Sequence, residues 1–378
     1  MNEKAKYNQI EKNVRIEILD VMKGIGIVSI VVGHAMNGSE LNGGAAEYVR
    51  RFVYLYHLVV FVFVSGYFLK REDSFIKVLI KKLKTLYLPF VIWSVISCLL
   101  NFIFASLGLL SSAYADLSYL IKGIIKSVLF QNIGGFASPL WFLQLLFVSI
   151  MVFEMILSLT KVIQKEHIRS ACIVAFSFII GFLWAIVLMK VDFIGVSGVK
   201  GLVHRLHIDT ALLMPPFLAL GMLAREANVL HRLGIKKAFC VCGAGLVLLL
   251  LIVFGTDWEI ELSRNAIISP VLFYIVSCIG IVFCVSCSAL ICKLGKKLKE
   301  ALVFLGKGSL YVMAVHCIFL KLTDYVYGFA TNASKESMST FPVSFEQLRL
   351  VYVILAVVGS GLFVYCRNKI RIRKGVGK

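Results

Sequence analysis

The chain has 378 residues, 59% hydrophobic and 16% charged, with a formal net charge of +19 and a mean hydropathy of +0.88. A chain this long and this apolar is a polytopic membrane protein, and a soluble enzyme is excluded. The positive charge does not point to nucleic acid, because Lys and Arg fall in short clusters between apolar runs, where topology determinants lie.

The N-terminal tail, MNEKAKYNQIEKN, is basic and has no small-residue cleavage site, so the first apolar run reads as a retained span. That run, Arg15 to Met36 (RIEILDVMKGIGIVSIVVGHAM), carries Asp20, Lys23 and His34. An ionisable group inside a span is costly and rarely idle. On a helix, Lys23 and His34 lie within roughly 20° of one face and roughly 16 Å apart in depth, with Asp20 about 60° from Lys23.

About ten runs have spanning length. They lie near residues 17–36, 50–69, 86–107, 141–159, 170–190, 208–224, 237–254, 267–292, 302–322 and 347–366. Alternate loops are basic: the N-terminal tail, Lys70–Lys84, Lys161–Arg169, Arg225–Lys237, Lys293–Lys299 and Arg367–Lys378. This pattern puts both termini in the cytoplasm. The opposite loops carry Asp116, Asp257, Glu259, Glu261 and Glu336. No loop is long enough for a second globular domain, and no internal repeat is visible. The expected architecture is an all-α helical bundle forming one integral membrane domain over residues 1–378, with short basic tails at 1–14 and 367–378.

Ten cysteines are present, almost all in apolar segments, where Cys behaves as a small hydrophobe. Cys284 and Cys287 form a CxxC inside an apolar run with no nearby His, so no metal or redox centre is expected.

Orientation then sets depth. Asp20 and Lys23 fall in the inner third and His34 near the outer face. The second span runs inward from Arg50 and Arg51, placing His57 in the outer half and Ser65 and Gly66 in the inner half. The ninth places His316 in the outer half and Lys307 at the inner edge. On an ideal helix Lys307 is nearly 180° from His316, so it reads as a snorkelling cation. Three histidines from three spans thus share the outer depth.

These residues resemble the acyltransferase 3 family, integral membrane enzymes that O-acylate extracytoplasmic glycans. RIEILDVMKGIGIVSIVVGH resembles its first span, with the basic-x10-His pattern met by Lys23 and His34. YLYHLVVFVFVSGYFLKRE resembles the second, although the aromatic run after the His is thinner here (Leu58, Val59, Val60). KKLKTLYLPFVIW, PLWFLQLLF, FLALGMLARE and LGKGSLYVMAVH resemble the third, fourth, sixth and ninth. With no appended esterase-like domain, the chain looks closest to the compact sugar O-acetylase type, which implies a bacterial plasma membrane.

The resemblance implies transfer of an acetyl or other short acyl group from cytoplasmic acyl-CoA to a hydroxyl of a glycan or lipid-linked sugar. Such a reaction needs a base, oxyanion stabilisation and a grip on the donor. His34 is the expected base, because imidazole titrates near neutrality; alternatively it accepts the acyl group first. The competing reading is a core histidine bonded to a carbonyl. Lys23 is expected to meet the donor phosphates, with Asp20 orienting it and Arg15, Lys81, Lys82 and Lys84 nearby; topology and anionic-lipid contact compete with that role. His57 and His316 would orient His34 or polarise the thioester carbonyl, or simply pack. Trp141 and Gln144 would line the acceptor pocket. Glu154, deeper in the same span, requires a partner that the sequence does not name. Arg205, with His204, His207 and Asp209, would bind an anionic acceptor or form a solvated loop. The rival function is an exporter or flippase of a glycan or lipid-linked sugar, since intramembrane charges also serve substrate paths.

Overall fold

The computed structural model describes residues 3–37 and 44–373, with side chains from Glu17 onward apart from His231. In chain order the helices are α1 (Glu3–Ala35), α2 (Ala45–Tyr54), α3 (His57–Phe68), α4 (Phe75–Lys82), α5 (Leu88–Ser106), α6 (Leu117–Val128), α7 (Trp141–Leu159), α8 (Glu166–Lys190) and α9 (Gly198–Arg205). They continue with α10 (Ile208–Ala211), α11 (Pro215–Glu226), α12 (Val229–Arg232), α13 (Ile235–Gly255), α14 (Pro270–Leu294), α15 (Lys296–Lys307), α16 (Ser309–Ala330), α17 (Lys335–Met338) and α18 (Arg349–Arg373). Among the described residues no strand occurs beyond one isolated bridge, Glu261 to Ala266. The fold is an all-α polytopic membrane bundle.

Among the described residues, nine helical stretches are long and apolar enough to span a bilayer. The difference from the expected ten falls on 208–224. There the chain forms α10, a turn, and α11 opening on Pro215 and Pro216. Proline lacks the N–H that would bond back to the carbonyl four residues earlier, so the helix cannot run through. The Ala211 carbonyl, which Pro215 cannot serve, accepts instead from Met214 N at 3.1 Å and from Ser149 Oγ at 3.0 Å. The Leu213 carbonyl accepts from the Tyr274 hydroxyl at 3.1 Å. Broken helices persist in an apolar medium only where neighbours satisfy the freed groups in this way.

Three other expectations shift. The second span is broken, with α2 ending at Tyr54 and α3 starting at His57. The third begins earlier, because Phe75–Ser106 is continuous through a π-helical turn at Leu83–Tyr87. Lys81, Lys82 and Lys84 therefore stand on a helix rather than in a loop. The ninth is replaced by α16, which runs to Ala330, and α15 ends at Lys307. Gly308 separates the two helices, so Lys307 and His316 do not share a helix and the 180° argument between them lapses.

The chain divides into two compact units built from interleaved segments. The first comprises Met1–Gly26, Tyr54–Leu88 and Phe142–Gly306. Its two ends differ chemically. At one end Arg71 bonds Glu226 (2.8 Å), Glu166 (3.0 Å) and Ser170 (2.8 Å), and Arg169 bonds Glu72 (3.0 Å). Three loops that the charge pattern assigns to the cytoplasm thus meet. At the other end of α8, Trp184 donates to the Asp209 carbonyl. Between the ends α3 and α11 touch backbone to backbone. A Cβ on Gly66 would lie 2.1 Å from the Leu218 oxygen, and one on Gly221 would lie 2.0 Å from the Phe63 oxygen. This is the small-residue packing by which helices associate in lipid.

The second unit comprises Ile27–Val53, Pro89–Trp141 and Lys307–Lys378. Aromatic contacts knit α5, α16 and α18 together: Trp93 meets Tyr311 (6.4 Å) and Phe363 (5.8 Å), and the Arg367 guanidinium lies 3.7 Å over Tyr311. Deep in this unit Lys321 and Asp324 are fully buried. Lys321 Nζ donates to Asp324 Oδ2 (2.5 Å), to the Met338 (2.6 Å) and Thr340 (2.8 Å) carbonyls, and to Ser344 Oγ (3.1 Å). Asp324 in turn accepts from the Tyr352 hydroxyl and from Ser344 N at 3.1 Å. Neither residue stood out in the sequence, where the ninth span was expected to end at 322. Removing one member leaves an uncompensated buried charge. We predict that Lys321→Ala destabilises the protein by about 3–5 kcal/mol, measured by denaturant unfolding in detergent, and that Lys321→Ala with Asp324→Ala costs less than Lys321→Ala alone.

Candidate active site

The second unit brings two of the three expected histidines together. His34 stands in the last turn of α1 and His316 two turns into α16; their ring centroids are 5.2 Å apart at 45°. His316 is fully buried and His34 partly so. Nδ1 of His316 contacts the Val312 carbonyl at 3.0 Å and the Met313 carbonyl at 2.9 Å. Carbonyl oxygens only accept, so Nδ1 carries the proton and Nε2 the lone pair. The α16 backbone thereby fixes the tautomer, the task a third group performs in orienting a catalytic imidazole. Nε2 lies 3.5 Å from Sγ of Cys317, a neighbour the sequence offered only as one more apolar-segment cysteine.

His57 belongs to the first unit. It is buried as the first residue of α3, with its ring 4.8 Å from that of Tyr54. Also in the first unit, Lys23 pairs with Asp20 at 2.7 Å, the ion pair that i,i+3 spacing allows. Arg15 lies on α1, but its side chain is outside the described residues. Lys82 is half-buried, with Glu154 among the charges that act on it. Glu154 is 1% exposed, its Oε1 makes no hydrogen bond, and the charges of Asp73, Lys161 and Lys82 act on it.

Trp141 opens α7 half-buried, and Gln144 is fully buried in the turn that follows. Gln144 Nε2 donates to the Arg205 carbonyl at 3.0 Å, which ties the start of α7 to the end of α9. Arg205 itself is exposed. Beside it, His204 Nδ1 meets Asp209 Oδ2 at 2.6 Å, and Asn265 donates to the same oxygen at 2.9 Å. Asn265 was not foreseen; it lies in a loop far along the chain and carries no local signal.

Two groups among the described residues have donor atoms within 4.8 Å of one another and could hold a metal ion: His34, His316 and Cys317, and His204, His207 and Asp209. The first is a nitrogen and sulfur set of the kind zinc accepts. In the second, Asp209 Oδ2 already serves His204 and Asn265 and its Oδ1 accepts from Thr210 N at 2.8 Å, so that carboxylate works as an orienting group.

The structure is thus a polytopic α-helical membrane protein that brings two histidine rings together inside one unit. Over residues 16–366 the chain matches the acyltransferase 3 family, described as an acyltransferase domain, and it belongs to that family. It is a membrane acyltransferase. Compared with curated proteins and with solved structures, the chain matches none.

The tautomer is directly measurable. In protein with 15N-labelled histidine at neutral pH, we expect an imidazole signal with the proton on Nδ1 that disappears in His316→Gln. A His316 signal with the proton on Nε2 contradicts the geometry.

Proposed function

We propose that this acyltransferase moves an acetyl or other short acyl group from cytoplasmic acyl-CoA to a hydroxyl of an extracytoplasmic glycan or lipid-linked sugar, with His34 as base. The observation that carries the reading is the His34–His316 pair in a protein of this family. The acceptor hydroxyl gives its proton to a ring nitrogen of His34 while its oxygen bonds to the thioester carbon. The tetrahedral intermediate then collapses, the carbon–sulfur bond breaks, and the coenzyme A thiolate takes the proton back from His34. The site therefore returns to its starting state.

Two features favour His34 over its neighbours. It is partly exposed where His316 and His57 are buried, so an acceptor hydroxyl has access to its ring. His316, locked with its proton on Nδ1, presents Nε2 only as an acceptor. That suits it to hold the His34 ring or the Cys317 thiol in place, and it cannot donate to the thioester carbonyl in this tautomer. His316 is accordingly a positioning residue.

Lys23 lies eleven residues before His34 on the same continuous helix, roughly 16 Å at 1.5 Å per residue. In this reading it meets the phosphates of the donor, held in place by Asp20 from the preceding turn. Lys82 and Arg15 add positive charge toward the same donor. With both termini cytoplasmic, the nucleotide stays low while the thin pantetheine arm carries the thioester up to His34. Trp141, Gln144 and Arg205 are assigned to acceptor binding.

Two measurements test this. Purified protein given radiolabelled acetyl-CoA and a hydroxylated glycan should form labelled ester, and His34→Ala should lower the rate by about 10²–10⁴-fold, the usual worth of a general base. Wild-type transfer by His34→Ala removes the assignment. Lys23→Gln should raise KM for acetyl-CoA about tenfold, equivalent to about 1.4 kcal/mol of lost contact, with a smaller change in kcat; an unmoved donor KM removes Lys23 from the donor site.

A further inference from the structure

The first unit carries a built site of its own. After α8 the chain turns at Gly195 (φ +70°) and enters α9 at Gly198 (φ +71°). The turn borders an open cavity of about 410 Å³ lined by Phe193, Val196, Ser197, Gly201, His204 and Arg205. That volume falls within the range of small-molecule pockets, and its walls mix apolar surface with a few polar groups. Phe193 is buried and packs against Trp184 at 6.0 Å, so the apolar wall is firm.

The polar wall is held from behind. Asp209 is fully buried, and its two oxygens serve three donors: His204 Nδ1, Asn265 Nδ2 and Thr210 N. An acceptor so fully used fixes His204 with its proton on Nδ1, leaving Nε2 as the ring's remaining polar atom on the cavity wall. The His207 ring backs His204 at 5.5 Å. Arg205 is anchored through its carbonyl by Gln144 and folds its guanidinium over Gly201. A fixed acceptor and a guanidinium, adjacent in sequence, thus face one cavity beside an apolar wall.

We propose that this cavity is a recognition site for an acidic sugar: Arg205 binds its carboxylate or phosphate, and His204 Nε2 accepts a hydrogen bond from a neighbouring hydroxyl. Guanidinium forks match both anions bidentately, and the apolar wall takes the C–H face of the ring. Resting on the acyltransferase reading, this makes the acceptor an anionic glycan and makes Arg205 and His204 specificity residues.

The test is binding to the full-length purified protein in detergent with no acyl-CoA present. Glucuronic acid, glucose 1-phosphate and glucose are compared by saturation-transfer NMR and calorimetry. At least one acid should bind about tenfold or more tightly than glucose, and which one does so tells carboxylate from phosphate. Arg205→Ala should abolish the preference and Arg205→Lys retain part of it, with unchanged melting temperatures showing that both variants fold. His204→Ala should weaken the acid and glucose alike, since the hydroxyl contact is common to both. Equal binding of acids and glucose, no binding of any probe, or an acid preference that survives Arg205→Ala overturns the proposal. Because no donor is present, failure of the His34 assignment leaves this result intact, and failure here leaves His34 intact.

Discussion

Inside a bilayer a polar group with no protein partner has no water to fall back on, and that constraint shapes every part of this molecule. It explains why the two prolines that break 208–226 are matched by Ser149 and Tyr274, hydroxyls supplied from α7 and α14 to carbonyls at the break. It explains why Lys321 is surrounded by a carboxylate, two carbonyls and a hydroxyl. It also produces the tautomer of His316, because a ring buried on a helix satisfies itself from the nearest carbonyls of the preceding turn. Structural satisfaction and chemical preparation are then one event: the bond that makes His316 tolerable in an apolar core also leaves the Nε2 lone pair toward Cys317 Sγ, 3.5 Å away.

The same logic separates the two polar clusters. At His316 the tautomer is set by backbone; at His204 it is set by a buried carboxylate, itself held by Asn265 and Thr210. His204 therefore lines a cavity beside a guanidinium, while Nε2 of His316 faces Cys317 Sγ inside the fold. A buried, oriented ring suits support of a neighbouring base, and a ring at a cavity wall suits contact with a ligand.

Much of this was legible in the sequence. Hydropathy and loop charge gave the all-α membrane class, and the ionisable residues marked His34, His316, Lys23 and Asp20 before any coordinate. What stayed hidden were helix breaks and long-range partners. The interruption at Leu55–Tyr56 has no Pro or Gly to announce it, and the separation of α15 from α16 rests on Gly308 inside an apolar run that reads as continuous. Pro215 and Pro216 lie inside the apolar run 208–224, which hydropathy alone reads as one span, since prolines are tolerated in membrane helices when neighbours compensate. Asn265 meets Asp209 from 56 residues away, and Gln144 reaches Arg205 from 61; periodicity within a span carries no trace of either.

The three histidines differ in what surrounds their rings. His34 sits in the last turn of α1 with the His316 ring 5.2 Å away. His57 is the first residue of α3, with its ring 4.8 Å from that of Tyr54. His316 lies inside α16, with its proton assigned to the carbonyls of the preceding turn. A base must gain a proton during the reaction and lose it afterwards. A ring whose Nδ1 proton is already held by backbone suits orientation, and in the proposed reaction the base is the ring beside it.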